Sequence, residues 1–348
     1  MNFNDLINYA KRENCSDVHI TVGTALAVRR YGKLNMLEPI PTAEESQGMI
    51  LEDLSEEQKK KVLAGEDLDF ALITPEGTRL RANIYHQRNN LAATYRILKD
   101  KIPTFDDLDI PDAVRKLIKE PRGLVLITGP TGSGKTTTLS SMVDYVNKKE
   151  AKHVITIEDP IEYVYYHAKS MIHQREIGKD VESFSKALHS ALREDPDIIL
   201  VGEMRDYETI NAALTAAETG HLVLSTLHTT SAAQTIERII DAYPPHGQAQ
   251  ARTQLASVLK GIVTQVLVPL EEEEGMTIAT EVLINNDAIA NQIRENKTHQ
   301  IASSMLSGSS SGMHSLSWDL KRLVKEQRIS EETALKYCIS QKEYENQR

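Results

Sequence analysis

Glycine, lysine and threonine residues recur between positions 129 and 136 with the spacing G-x-x-x-x-G-K-[ST]. This pattern, after an apolar strand and before a helix, is typical of a loop that binds nucleotide phosphates. Its glycines let backbone N–H groups turn toward the phosphates, and the helix that follows adds the positive end of its dipole. We expect Lys135 to reach the β- and γ-phosphates of ATP, and the Thr136 hydroxyl to ligate Mg²⁺. The predicted nucleotide-binding residues are Gly129, Pro130, Thr131, Gly132, Ser133, Gly134, Lys135, Thr136 and Thr137.

Acidic residues follow two other apolar segments and are candidates for hydrolysis. The segment from residue 197 ends at Glu203, which we expect beside the phosphates as a general base that polarises the attacking water. Taken alone, an acid at a strand end can equally serve only to keep a turn soluble. Gly202 occupies the position of the strand-end Asp that is common in P-loop proteins. Glu158 is therefore a second catalytic candidate, unless its acidic loop is a simple cap, and Glu158 and Glu203 are both candidates to hold Mg²⁺ through water.

Two histidines flank a further apolar run, Leu222 to Ser225. His221 precedes this run and His228 follows it. Such histidines can report phosphate occupancy to the sheet by hydrogen bonding, and we include His221 among the catalytic candidates. The alternative is a structural role, which is usual for a single histidine.

The second half of the chain alternates short apolar runs with segments of helical periodicity. The runs are almost continuously hydrophobic, as strands buried on both faces of a parallel sheet should be. This order predicts a parallel sheet with helices packed on its faces. The predicted strands are Leu124–Ile127, Val154–Ile157, Ile198–Val201 and Leu222–Ser225, and the predicted helices are 137–145, 184–192 and 210–217.

Residues 1–98 have the pattern of a separate α/β domain. Phe3–Arg12 is predicted to be a helix, and capping boxes at Thr42 and Ser55 predict two more. Strands are expected near residues 17–22, 78–85 and 91–98. Residues 99–112 carry two prolines and many charges, so we place a linker there and an ATPase domain at 113–348, with a helical region from about residue 285.

Composition excludes several classes of protein. The net charge of −10 argues against nucleic acid as the main partner. Only two cysteines are present, Cys15 and Cys338, and neither lies in a C-x-x-C pair, so a disulfide framework and a structural zinc site are not expected. No apolar run approaches the roughly 20 residues that cross a bilayer. We therefore expect a cytoplasmic protein with no direct membrane span.

Four segments together resemble the secretion and pilus ATPase superfamily. GPTGSGKT, ITIEDPIEYV, DPDIILVGEMRD and TGHLVLSTLHTT are similar to its Walker A, Asp box, Walker B and His box, in the same order. The resemblance covers nearly the whole chain and is strongest to PilT-type pilus-retraction ATPases, whose AIRNLIRE motif corresponds here to AIANQIRE, residues 288–295. It implies a PAS-like mixed α/β N-terminal domain and a RecA-like P-loop ATPase domain with a mainly parallel sheet and a helical C-terminal region.

The resemblance also implies a function and partners. Members of this type are homohexameric motors that hydrolyse ATP with Mg²⁺ and retract type IV pili, with a platform protein of the inner membrane, and indirectly pilin, as partners. N-terminal arginines approach the nucleotide in related motors, which makes Arg81 and Arg96 catalytic candidates, with Arg79 beside them. A solvated basic strand face is the alternative. A pilus-assembly or type II secretion ATPase, a non-hydrolysing accessory paralogue and a RecA-like nucleic-acid motor remain alternative functions.

Overall fold

A computed structural model of the chain describes residues 2–98, 101–271 and 275–346. Its contacts divide it into two compact units. Unit 1 comprises Met1–Lys101 with Pro160–Tyr163, and unit 2 comprises Ile102–Asp159 with Val164–Arg348. We expected residues 160–163 in the ATPase domain, whereas their contacts group them with unit 1. Residues 99 and 100 of the expected linker lie outside the described residues, and the expected domain limits stay a prediction.

Unit 1 is an antiparallel sheet with helices. With the strands numbered along the chain, they pair in the order β3-β2-β1-β6-β5-β4. The strands are β1 Asp17–Thr21, β2 Ala27–Arg30, β3 Lys33–Met36, β4 Leu68–Ile73, β5 Arg79–Gln87 and β6 Asn90–Ile97, and the helices are α1 Phe3–Arg12, α2 Ala43–Leu51 and α3 Glu56–Leu63.

The local sequence explains the helices of unit 1. Helix α1 begins at an Asn2 capping box and buries Phe3, Leu6, Ile7 and Ala10, which recur at helical spacing. Helices α2 and α3 begin at capping boxes on Thr42 and Ser55, as predicted. Their buried faces and the sheet form one hydrophobic core.

Unit 2 is built on a larger sheet with helices. Its strands are β7 Gly123–Thr128, β8 His153–Glu158, β9 Met171–Glu176, β10 Ile198–Val201, β11 Leu222–Leu227, β12 Leu259–Pro269 and β13 Met276–Ile284. They pair in the order β13-β12-β7-β11-β10-β8-β9. All these pairs are parallel except β12 with β13. The mainly parallel sheet expected for this region is confirmed.

The helices of unit 2 cover this sheet and build the C-terminal region. They are α4 Asp112–Leu117, α5 Lys135–Lys149, α6 Phe184–Ala191, α7 Tyr207–Glu218, α8 Ala232–Asp241, α9 Gln248–Val258, α10 Asp287–Arg294, α11 Ile301–Ser307, α12 Leu316–Lys325, α13 Glu331–Tyr337 and α14 Gln341–Asn346. Every residue of β7, β10 and β11 is buried, because helices pack on both faces of these central strands. Within the described residues, none of the helices has the length and apolar character needed to cross a membrane.

Candidate nucleotide-binding site

The glycine-rich loop joins the end of β7 to the start of α5. Gly129 has φ of 141°, and a Cβ at this position would lie 2.2 Å from the backbone oxygen of Gln265, so only glycine fits. Gly134 is the N-cap of α5 in a left-handed conformation, and Lys135 opens the helix. The first-turn N–H groups of a helix have no partner within it, so they are available to an anion held by the loop.

Two side chains of the loop fit a phosphate group. The Lys135 ammonium is 8% exposed and donates to the carbonyl oxygens of Gly129, at 2.8 Å, and Pro130, at 2.9 Å, so it lies over the loop. The Ser133 hydroxyl is buried and has no hydrogen-bond partner in the part of the chain that the structure describes. Because a buried polar atom without a partner is costly, this hydroxyl favours a polar ligand at the loop. Thr136 and Thr137 lie in the first turn of α5.

Gln265 supports the loop and was not found from the sequence. Its side chain is fully buried, its amide nitrogen donates to the Ser133 carbonyl at 2.6 Å, and its amide oxygen accepts from the Thr138 hydroxyl at 3.0 Å. It therefore joins β12 to both the loop and α5. Gln265 lies well over a hundred residues from the motif, so no local spacing could have indicated this contact.

The order of the strands sets how far each candidate lies from the loop. The strands run β7-β11-β10-β8, and their carboxyl ends share one edge of the sheet. Neighbouring strands are about 5 Å apart, so His228 after β11 is about 5 Å along the edge, Glu203 after β10 about 10 Å and Glu158 at the end of β8 about 15 Å. Of these three side chains, His228 is thus the nearest to the loop along this edge, Glu203 the next and Glu158 the farthest.

His228 lies between the loop and Glu203. Its Nδ1 is 3.5 Å from both the Thr131 hydroxyl and the Lys135 ammonium nitrogen, and its Nε2 is 3.6 Å from a carboxylate oxygen of Glu203. These distances are at or just beyond the limit of a hydrogen bond. Lys135, His228 and Glu203 therefore form one row of polar groups, with the imidazole of His228 in the middle.

Backbone contacts hold Glu203 at the sheet edge. Gly202 donates to the Ile157 carbonyl at 2.8 Å and accepts from the Thr226 hydroxyl at 2.6 Å, which ties this turn to the strands on either side. A Cβ on Gly202 would lie 3.3 Å from the Ile157 oxygen, so the turn is tight against β8. The Glu203 carboxylate is about one-fifth exposed, and its Oε2 pairs with Arg205 at 2.6 Å.

Glu158 occupies a more enclosed position. It is 6% exposed, and its Oε1 accepts from the Thr156 hydroxyl at 2.7 Å and from the Gln174 amide at 3.2 Å. Asp159, the next residue, is exposed. These hydrogen bonds hold the Glu158 carboxylate in place beside β8 and β9. A carboxylate fixed in this way is suited to orienting a water molecule.

The structure separates His221 from the glycine-rich loop of the same chain. His221 lies before β11, at the amino-terminal edge of the sheet, where its carbonyl pairs with the start of β7 and its Nδ1 is 3.0 Å from the Ala216 carbonyl. The loop follows the opposite end of β7. The two histidines lie at opposite ends of one strand, and only His228 reaches the loop of its own chain. The catalytic role of His221 stays a prediction.

The predicted N-terminal arginines are paired within unit 1. Arg81 binds both carboxylate oxygens of Asp69, at 3.1 and 2.8 Å, and Arg96 binds Asp17 at 3.0 Å. Arg81 and Arg96 are directly opposite each other on β5 and β6. The two aspartates offset the repulsion between these like charges. The catalytic role of both arginines stays a prediction.

The residues present fit Mg²⁺ bound together with a nucleotide. No group of three or more His, Cys, Asp or Glu side chains among the described residues could form a metal cage by itself. Magnesium is usually held by one or two protein oxygens, waters and substrate phosphates instead. Thr136 lies at the loop itself, whereas Glu203 and Glu158 lie farther along the edge and would act only through water. This set of ligands stays a prediction.

Comparison with known proteins gives consistent matches over the whole chain. Residues 3–338 match the family described as "Type II/IV secretion system protein". The "Type IV pilus retractation ATPase PilT" of Pseudomonas aeruginosa is 42% identical over 336 residues, which is 96% of this chain and 97% of that protein. The "Twitching motility protein" of Neisseria gonorrhoeae is 42% identical over 308 residues, 88% of this chain and 82% of that protein.

A solved structure agrees with these matches. The crystal structure of "the Pilus Retraction Motor PilT and Bound ADP" superposes with a TM-score of 0.89 at 44% identity, covering 100% of both chains. Both the fold and the sequence thus match along the full length. The chain belongs to the Type II/IV secretion system protein family.

Proposed function

We propose that this chain is an ATPase that powers the retraction of a type IV pilus. The observation that carries the proposal is the 42% identity to PilT, which extends over 96% of this chain and 97% of PilT. Because the identity spans both proteins nearly from end to end, it supports a shared activity of the whole chain as well as a shared nucleotide-binding fold. The retraction of pili by depolymerisation underlies twitching motility.

The geometry of the site supports ATP hydrolysis. The glycine-rich loop and Lys135 would hold the β- and γ-phosphates, and the Thr136 hydroxyl would be a ligand of the magnesium ion, which would neutralise phosphate charge. Glu203 orients the attacking water and accepts its proton. His228 lies between Lys135 and Glu203 and senses the γ-phosphate.

The motor works as a homohexamer that acts on a platform protein of the inner membrane, and through it on pilin. Arg81 and Arg96 stabilise the charge that develops on the transferred phosphoryl group, as arginine fingers do in other ATPases. Nucleic acid is not a partner, in keeping with a net charge of −10. The motor lies in the cytoplasm and meets the membrane only through the pilus machine.

An accessory role that binds the retraction machine without hydrolysis is the second candidate. The chain is also 35% identical to the "Type IV pilus ATPase PilU" of Pseudomonas aeruginosa, over 98% of this chain and 89% of that protein, so its similarity extends to a second pilus ATPase. The presence of Lys135, Thr136 and Glu203 argues for an active enzyme. Turnover by the purified protein alone separates the two candidates.

The test of the proposal is a deletion strain examined for surface pili and for motility. Loss of a retraction motor leaves excess, immobile pili, because assembly continues while removal stops. The wild-type gene should restore motility, and a Lys135→Ala copy should not, since the lysine is the main cation of the phosphate site. Cells without any pili would indicate an assembly motor, and normally motile cells would overturn the proposal.

A further inference from the structure

The polypeptide passes between the two units at the acidic loop as well as near residue 101. It leaves unit 2 after Asp159, enters unit 1 for Pro160–Tyr163, and returns to unit 2 at Val164. Glu158, the last residue of β8, is separated from this crossing by a single residue. The chain therefore connects unit 1 covalently to the position next to Glu158.

Arg79 attaches the inserted segment to the sheet of unit 1. Its Nη2 donates to the Ile161 carbonyl at 2.6 Å and its Nη1 to the Glu162 carbonyl at 2.8 Å. Arg79 is the first residue of β5, where its own carbonyl accepts from Leu98 at 2.9 Å. One rigid guanidinium thus spans two successive peptide groups of the segment.

This contact differs from those of the two neighbouring arginines. Arg81 and Arg96 pair with carboxylates, whereas Arg79 binds backbone carbonyls and so fixes the path of the chain. Tyr163, at the end of the segment, is 5% exposed. The two hydrogen bonds from Arg79 therefore attach the segment Pro160–Tyr163 to the sheet of unit 1.

We propose that Arg79 is a positioning residue, which couples unit 1 to the acidic loop and so sets the position of Glu158 during ATP hydrolysis. This inference rests on the proposed function of the chain. Arg79 acts through the backbone and does not touch the nucleotide. Its loss should lower turnover while leaving the phosphate loop, and hence the binding of ATP, intact.

The test compares Arg79→Gln and Arg79→Lys with Arg12→Gln, which removes an exposed arginine of α1 in the same unit. Amide hydrogen exchange is followed by mass spectrometry in a peptide covering residues 157–165. We expect exchange of this peptide to rise at least about tenfold in Arg79→Gln, because two charge-assisted hydrogen bonds to the loop are lost. Peptides of β4 to β6 should keep wild-type protection, which shows that the sheet stays folded.

The same variants are assayed for ATP hydrolysis. Arg79→Gln should lower kcat about tenfold or more with KM for ATP within about twofold, and Arg79→Lys should restore part of kcat, because an ammonium can bind one of the two carbonyls. Arg12→Gln should match wild type in both assays. Unchanged loop exchange, or equal kcat in Arg79→Gln and wild type, would overturn the inference. If wild type itself hydrolyses no ATP, the proposed function fails, and the exchange experiment still tests the contact.

Discussion

At the scale of single residues, the choice of catalytic base depends on position along the sheet edge. Glu203 is two strands from the glycine-rich loop and connects to it through His228, whereas Glu158 is three strands away and is held by two hydrogen bonds. We predict that Glu203→Gln still binds ATP but loses at least about a hundredfold in kcat, because an amide cannot accept the proton of water. Nucleotide binding and steady-state hydrolysis measure the two effects separately.

The matched control for Glu203→Gln is Glu208→Gln, an exposed acid in the first turn of α7. It should hydrolyse ATP at the wild-type rate. Near-normal turnover by Glu203→Gln would show that the base is misassigned. The same assay on Glu158→Gln would then decide whether Glu158 takes this role.

A buried acid outside the nucleotide-binding site should make the stability of the fold depend on pH. Glu281 on β13 accepts from the Ala232 N–H at 2.7 Å, and burial, with a smaller effect of Glu343, raises its pKa from 4.5 to about 7. The folded state thus holds the proton more tightly than the unfolded state, so the free energy of unfolding falls as pH rises from 4.5 to about 7. Above that range the buried carboxylate is ionised and lowers the free energy of unfolding by about 3 kcal/mol.

Glu281→Gln should remove this cost, since glutamine keeps an acceptor for Ala232 and carries no charge. We predict that the variant melts several degrees above wild type at pH 8 and close to wild type at pH 4.5, by calorimetry. Glu332→Gln, at an exposed site in the first turn of α13, should change neither value. An equal shift at both pH values would exclude titration of Glu281 as the cause.

At the scale of elements, α10 contains the segment that corresponds to the family's AIRNLIRE motif. Ile289, Ala290 and Ile293 are buried in the core of unit 2, while Arg294 is exposed. The family's arginine at the position of Ala290 would have to bury its charge here, which is costly. Replacing Ile293 by alanine would cost roughly 2–5 kcal/mol through cavity formation, so only the exposed face can test coupling without damage to the fold.

We predict that Arg294→Ala leaves ATP hydrolysis within about twofold of wild type, yet stops pilus retraction in cells. The reason is that a segment outside the phosphate site can affect work only through a neighbour or a partner. The control, Arg238→Ala, removes an exposed arginine from α8 and should retain both activities. Loss of hydrolysis together with retraction would assign α10 a structural role, and retention of both would place the coupling elsewhere.

Elements were predictable where burial left a regular pattern in the sequence. Strands β7, β8, β10 and β11 are almost continuous apolar runs, because helices cover both faces. Strand β9 lies at the sheet edge and alternates buried and exposed residues, and β12 buries the polar Thr264 and Gln265. Neither strand has a continuous apolar run, so both were missed.

The candidate site was predictable to the extent that its residues are local in sequence. The motif of residues 129–136 fixes the glycine-rich loop by spacing alone. The two histidines flank the same strand, and the parallel direction predicted for the sheet places only His228, at the carboxyl end, on the side of the loop. The contact of Arg79 with residues 161 and 162 joins two distant segments, for which a single sequence carries no signal.

At the scale of the whole molecule, the charge on unit 1 suggests that its arginines act in an assembly. Arg81 and Arg96 are cross-strand neighbours, so their positive charges lie close together on one face of the sheet, where Arg81 pairs with Asp69 and Arg96 with Asp17. Two guanidinium groups suit the charge that develops on a transferred phosphoryl group. We predict a nucleotide-sensitive hexamer in which Arg81→Ala and Arg96→Ala each lower turnover at least about tenfold at unchanged mass, measured by light scattering beside the ATPase rate.

Mixing of variant subunits shows whether these arginines serve the site of a neighbouring subunit. Arg81→Ala subunits keep Glu203, and Glu203→Gln subunits keep Arg81, so neither alone has a complete site. If the arginine acts across a subunit interface, mixing the two inactive proteins under conditions of subunit exchange creates some interfaces with both groups, and we expect a measurable fraction of wild-type turnover to return. A mixture of Arg81→Ala with a double variant that lacks both groups is the control and should stay inactive. Absence of recovery in rings that demonstrably contain both proteins would mean that each arginine serves its own chain, and full activity of a monomer would rule out the ring.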